Sequence, residues 1–217
     1  MALNLELPKI YPITDRRLSG LSHAEQVNRL IDGGAKLIQL REKRLSPKQF
    51  YREAVEAIEI ARIAGAKIII NDRVDIALVT KADGVHLGQD DLPPEQARNV
   101  LGPEAIIGFS THNVGQAVQA ANKPVDYIAA GPVFATLTKD KPDPTIGLAE
   151  LRVISEAFRD IPLVAIGGIT AENAQSALDA GADSVAVVSY LITDPEQISL
   201  RMKELGQIAS HNTVYNR

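Results

Sequence analysis

Four stretches of this chain, DGGAKLIQL, IAGAKIIIN, KADGVHLGQ and DAGADSVAVVS, share one grammar: a helical pattern closes on Gly and a β-branched run follows at once. Gly just past a helix supplies the left-handed C-cap that turns the backbone into a strand. Extended over the sequence, this punctuation predicts strands near 9–14, 37–41, 67–72, 84–88, 105–110, 127–131, 162–168 and 184–189. Amphipathic segments fall between them, near 22–32, 47–64, 74–80, 93–101, 113–122, 147–158, 171–179 and 195–209. Eight alternations of strand and helix demand a parallel sheet with right-handed crossovers, and in 217 residues they close into a (β/α)8 TIM barrel. An open doubly wound sheet is the alternative, but no phosphate loop or dinucleotide fingerprint follows an early strand.

A single barrel domain over 1–217, with a frayed tail from about 210, suits this length. With 45 % hydrophobic and 23 % charged residues the chain can bury a core of that size. Pro47, Pro93 and Pro195 stand where helices should begin, with Ser46 and Asp194 placed to cap two of them. The longest connection, 132–146, is too polar for core and reads as a binding loop or lid. A formal charge of −4 and the absence of any basic block argue against a nucleic-acid or membrane-surface partner. No cysteine is present, which excludes a disulfide, a thiolate zinc site and a catalytic thiol. The start, MALNLELPKI, has neither a secretory nor an organellar presequence pattern, so a cytoplasmic location, or a trimmed organellar one, is expected. No apolar run is long enough to span a bilayer.

In such barrels the site forms where strands end. The second strand carries Gln39, Arg41 and Lys43 on one face and Ile38 and Leu40 on the other. The third ends in Asn71 and Asp72, and the fourth runs through Gly88, Gln89, Asp90 and Asp91. The fifth ends at Ser110, Thr111 and His112, the sixth opens toward Thr136, Thr138 and Lys139, the seventh ends in Gly167 and Gly168, and the eighth in Ser189. Each has a plainer reading. Asn71 and Asp72 suit a helix cap, Asp90 and Asp91 a turn before the prolines, Arg41 or Lys43 a rim ion pair with Glu42 or a helix carboxylate, and the two glycines a bend. Independent caps and turns do not require Gln, Arg and Lys in phase on one strand with acids closing the next two.

The fork of Arg41 and the compact charge of Lys43 suit phosphate oxygens. Asp72 and Asp91 leave neighbouring strands, so both carboxylates can reach one hard cation; without His or Cys this set favours magnesium, Mg2+, completed by water and substrate phosphate. Across the barrel, the glycines of AIGGIT, a helix start at Ala171 and the strand ending at Ser189 match the phosphate site many barrels build after strands seven and eight. Two anion sites on one mouth point to two phosphorylated substrates.

At these residues the chain resembles the thiamine-phosphate synthases. IYPITD, LIQLREK, IIINDRVDIAL, DGVHLGQDDLP, IIGFSTHN, YIAAGPVFATLTK, VAIGGIT and DSVAVVSYL occur in that family's order and spacing. The resemblance implies an enzyme that joins hydroxymethylpyrimidine diphosphate to a thiazole phosphate and releases pyrophosphate, with a homo-oligomer allowed. It further implies that Arg41, Lys43, Asn71, Lys139 and Ser110 meet the diphosphate, that Asp72 and Asp91 hold magnesium, and that Gln39 orients the aminopyrimidine. Thr136, Thr138, Gly168, Val188 and Ser189 would form the thiazole-phosphate side. The implied chemistry is dissociative: diphosphate leaves first, and the thiazole nitrogen captures a pyrimidine-methyl cation.

Ala135 departs from the family, many members having Pro there, and KDKPDPTI is richer in charge and Pro than usual. A related thiazole tautomerase carries His where this chain has Pro132, which can serve as neither acid nor base. A phosphosugar isomerase would explain strands seven and eight but not the cationic second strand. A non-catalytic sensor would have no need of Asp72, Asp91 and Lys139. His86 reads as a satisfied barrel residue and His112 as the start of the fifth helix.

Overall fold

The computed structural model describes residues 6–136, 138, 143–157 and 160–210. Along them run β1 (Ile10–Asp15), α1 (Arg16–Ser19), α2 (His23–Asp32), β2 (Leu37–Arg41), α3 (Pro47–Ile63), β3 (Lys67–Asn71), α4 (Val74–Thr80) and β4 (Gly84–Leu87). There follow α5 (Pro94–Leu101), β5 (Ile106–Thr111), α6 (Val114–Ala120), β6 (Tyr127–Ala130), α7 (Gly147–Ala157), β7 (Leu163–Ile166), α8 (Ala174–Asp179), β8 (Ser184–Val187), α9 (Ser189–Ile192) and, after a 3-10 turn at Pro195–Gln197, α10 (Ile198–Ser210). The strands pair in chain order, all parallel, and β8 closes on β1, so the expected (β/α)8 barrel is the fold.

The helix patterns become faces. On α3 the buried residues Phe50, Ala54, Ala57, Ile58 and Ala61 follow a helical period and form the stripe laid on the barrel. Its start is a capping box: the Ser46 hydroxyl accepts the Gln49 N–H, the Gln49 side chain accepts the Ser46 N–H, and Pro47 follows. A second capping box, Ser22 with Glu25, opens α2. Asp194 precedes Pro195 but makes no side-chain cap. At the foot of the barrel Asp83, Asp126 and Asp183 each stand just before a strand and accept an N–H from the first or second residue of the preceding one, at Ile68, Ile107 and Leu163. These bonds satisfy strand ends that have no ladder partner there.

Two apolar regions result. One lies between strands and helices and contains Ile38, Leu40, Ile68 and Ile70. The other fills the barrel with Tyr11, Ile13, Leu37, Ile69, Ile106, Tyr127 and Val164. Alternation along β2 therefore turns Leu37 and Gln39 inward while Ile38 and Leu40 meet the helices. Polar residues on the inward face can be reached only from the open end. Among the described residues no helix is long and apolar enough to cross a membrane.

Candidate active site

A cavity of about 990 Å³ opens at the C-terminal ends of the strands. β2 and its loop contribute Gln39, Arg41 and Lys43; β3 and β4 contribute Asn71, Asp72 and Asp91; β5 contributes Ser110. From the far side come Thr136, Thr138, Gly168, Val188 and Ser189, so these residues share one mouth. Lys139 lies outside the described residues.

The cationic strand is held by acids. Arg41 donates to Asp15 Oδ2, and the register places Asp15 of β1 directly beside Arg41 of β2. The other oxygen of Asp15 caps α1, accepting from the N–H groups of Arg17 and Leu18 at 2.9 and 3.2 Å. Lys43 forms an ion pair with Asp72. Between them Glu42 points the other way: its Oε1 accepts from Arg44 and Leu45 N–H, and its Oε2 lies 3.4 Å from His23 Nε2. Burial opposes ionisation of Glu42, but those hydrogen bonds outweigh it and hold its carboxyl at about 2. The loop carrying Lys43 is thus pinned from below.

Asn71 and Asp72 do not cap the helix after β3; Arg73 occupies the cap position, without a side-chain cap bond. Asp72 instead adopts a left-handed backbone (φ 60°), unusual for a residue with a Cβ, and its carboxylate reaches the mouth. Asn71 Nδ2 is buried and finds no hydrogen-bond partner among the described residues. Asp91 accepts the Gly88 N–H at 2.7 Å, so the turn reading holds, and the same residue lines the mouth. Burial pushes the Asp91 carboxyl above its ordinary range against that hydrogen bond, and the neighbouring charge of Asp72 adds to the rise. Two acids crowded in this way are a donor pair suited to a hard cation. Among the described residues no group of three or more His, Cys, Asp or Glu side chains is placed to hold a metal ion.

On the opposite side Gly167 (φ 99°) and Gly168 (φ 67°) are both left-handed. A Cβ on Gly168 would stand 2.5 Å from the Ala135 carbonyl oxygen, so the sixth and seventh strand ends touch only because this residue is Gly. The helix expected from Ala171 begins at Ala174, because Asn173 accepts the Thr170 N–H and donates to Gly168 O, holding 170–173 as a turn. The expected helix start therefore moves three residues from the glycines. His86 is the buried barrel residue expected of it, bonded to Tyr127 and Ser110. His112 does not begin a helix; Asn113 caps α6, while the His112 ring donates to Gly131 O at 2.7 Å.

A sequence model described as thiamine monophosphate synthase matches residues 10–191. The chain belongs to that family. It is 48 % identical over 189 residues to the thiamine-phosphate synthase of Clostridium novyi (strain NT), covering 87 % of this chain and 92 % of the relative. With the synonymous enzyme of Koribacter versatilis (strain Ellin345) it shares 45 % over 215 residues, covering 96 % and 99 %. Among solved structures, the thiamine phosphate pyrophosphorylase of Pyrococcus furiosus superposes with a TM-score of 0.85 at 39 % identity, covering 93 % of this chain and 95 % of that one.

Two groups at this mouth, Asp15 and Arg17, went unremarked in the sequence. Asp15 was visible in IYPITD as the residue beside Arg41 once strands one and two are aligned in parallel. Glu42, a candidate rim partner for Arg41 or Lys43, is not the acid they pair with, because alternation turns it to His23 and leaves those cations to Asp15 and Asp72. Arg17, whose guanidinium donates to Thr138 O at 3.2 Å, had no sequence signal, since the contact joins positions 121 apart.

Proposed function

We infer that this protein is a thiamine-phosphate synthase, a transferase that joins hydroxymethylpyrimidine diphosphate to a thiazole phosphate and releases pyrophosphate. The observation that carries the reading is the grouping of Arg41, Lys43 and the unpartnered Asn71 Nδ2 beside the crowded carboxylates of Asp72 and Asp91. A buried donor without an acceptor costs about 1–3 kcal/mol, and a diphosphate oxygen would supply what it lacks.

The reaction breaks the bond between the pyrimidine methylene and a diphosphate oxygen, with the electron pair leaving on oxygen. Arg41, pre-aimed by Asp15, and Lys43 stabilise that growing charge. Lys43 then exchanges Asp72 for the departing anion, and Ser110 donates to it. Asp72 and Asp91 would hold magnesium, which when bound neutralises diphosphate charge and so eases its departure. Gln39 orients the aminopyrimidine so that its cationic methylene faces the thiazole nitrogen, whose lone pair forms the new C–N bond. Thr136, Thr138, Gly168, Val188 and Ser189 hold the thiazole phosphate, and Lys139 closes the leaving-group site. The connection 132–146 is assigned to keeping water from the cation. A cytoplasmic location goes with this reading.

The test is pyrophosphate release on mixing both substrates with magnesium, compared with omission of each. Release that requires all three supports the assignment; release with one organic substrate, or none with both, overturns it.

A further inference from the structure

The barrel interior holds a continuous row of polar contacts whose middle, Tyr11, Tyr127 and His86, the reaction above does not use. Gln39 Nε2 donates to Tyr11 Oη at 3.1 Å, and Tyr11 Oη lies 2.9 Å from Tyr127 Oη. Tyr127 Oη lies 2.9 Å from His86 Nδ1, and His86 Nε2 lies 2.8 Å from Ser110 Oγ. Both ends of the row, Gln39 and Ser110, line the mouth. Its middle is sealed: Tyr11 is 1 % exposed and Tyr127 is 0 % exposed. The path is built into the packing as well, since a Cβ on Gly108 would stand 2.0 Å from Tyr127 Cζ. The Tyr127 phenol occupies that space.

Such a row can run in either of two directions, and the Gln39 amide selects one. With Nε2 spent on Tyr11, that phenol's oxygen is an acceptor, and its own buried proton goes to the hydroxyl it touches, Tyr127. The Tyr127 proton then goes to His86 Nδ1, which leaves the imidazole neutral with its hydrogen on Nε2. His86 Nε2–H occupies a lone pair of Ser110 Oγ, and the Ser110 proton turns to the mouth. Burial pushes the pKa of both phenols up, against hydrogen bonding in the case of Tyr11, so both stay neutral donors.

We propose that Tyr11 and Tyr127 are positioning residues that set, through one directed hydrogen-bond chain, what the mouth presents to substrate: a carbonyl oxygen at Gln39 and a hydroxyl proton at Ser110. Resting on the function inferred above, the proposal assigns Gln39 to accept from the exocyclic amine of the pyrimidine and Ser110 to donate to the leaving anion. The opposite direction would turn a Ser110 lone pair toward an anion and offer the amine a donor, mismatching both ends at once. Specificity for an amino-substituted ring is then decided two layers below the ring itself.

The first test needs no substrate. In the ¹⁵N-labelled full chain, with His86→Gln used to assign the signal, imidazole ¹⁵N shifts should show His86 protonated on Nε2 and bare on Nδ1. Protonation on Nδ1, or an imidazolium near neutral pH, overturns the chain's direction whatever reaction the protein catalyses. The second test compares kcat/KM for hydroxymethylpyrimidine diphosphate with that for the analogue carrying hydrogen in place of the amine. Tyr11→Phe frees the Gln39 amide to turn, so the preference should shrink by roughly tenfold, the worth of one well-placed hydrogen bond. A merely structural Tyr11 would slow both substrates alike, and an unchanged ratio in a variant with a normal unfolding transition overturns the proposal. Tyr127→Phe should move the His86 proton to Nδ1 in a share of molecules and lower kcat more than it raises KM; an unmoved tautomer counts against it. Loss of pyrophosphate release in the parent would remove the function while leaving the tautomer result to decide the chain.

Discussion

Replacing Asp15 by Asn separates two jobs that one carboxylate performs. Its Oδ1 caps α1 and its Oδ2 holds Arg41. Asn caps about as well as Asp, so Asp15→Asn keeps the first and loses the second. The pair is neither at the surface nor fully dry: the side chains are 18 % exposed at Arg41 and 6 % at Asp15. Its loss therefore falls between the ~0.2–1 kcal/mol of an exposed pair and the ~3–5 kcal/mol of a broken buried one, at about 1–2 kcal/mol. For a chain of this size that lowers Tm by roughly 5 °C. Asp15→Ala loses the cap too, a further ~1 kcal/mol and roughly 3 °C. Because both variants free Arg41 from its aim, both should slow pyrophosphate release by about tenfold or more, although only one loses the cap. Calorimetric melts and a coupled pyrophosphate assay on the three proteins read these outcomes. Full turnover in Asp15→Asn would refute the claim that Asp15 aims Arg41, and equal melting temperatures in the two variants would refute the division of roles.

Lys43 is 54 % exposed, so Lys43→Ala should leave Tm within about 2 °C of the parent yet reduce turnover by about 100-fold; a matching fall in both would make it a structural residue. Ser46→Ala removes the capping box of α3, next to Leu45 at the mouth but not itself lining the cavity, and should cost about 1 kcal/mol while lowering kcat less than about twofold, as urea unfolding and the same assay would show. Glu42 has a folded carboxyl at about 2 against an ordinary 4.5, so its contribution is complete above about pH 4.5 and is lost as pH falls toward 2. Screened by solvent at the mouth, it is worth about 1–2 kcal/mol. Glu42→Gln should therefore flatten the fall of Tm between pH 5 and about 2.5, and parallel curves would count against the bonding of Glu42 to His23, Arg44 and Leu45.

Much of the scaffold was readable because it rests on local physics. Gly after a helical stripe, Ser46 before Pro47 and the alternation of LIQLR are each decided within a few residues, and the barrel follows from their repetition. The mouth was readable for a related reason: once strands are parallel and in order, their C-terminal residues must converge. Long-range register was not readable in the same way. The pairing of Asp15 with Arg41, the reach of Arg17 to Thr138 and the Asp residues at the barrel's foot depend on neighbours far away in sequence. The helix misplaced at Ala171 shows the opposite failure, in which a good local pattern yielded to Asn173 closing a turn on Gly168. Asn71 and Asp72 suited both a cap and a site, and the left-handed backbone at Asp72 with Arg73 at the cap position removes the cap.

The central claim is that cations of β2 and acids of β3 and β4 together clamp a departing diphosphate, and calorimetric titration with pyrophosphate tests it most directly. Pyrophosphate should bind tightly when magnesium is present and weakly without it, and Asp72→Asn should abolish that difference while the protein stays folded. Titrations with no heat of binding even with both present, or an Asp72→Asn protein that keeps the full magnesium effect, would contradict it.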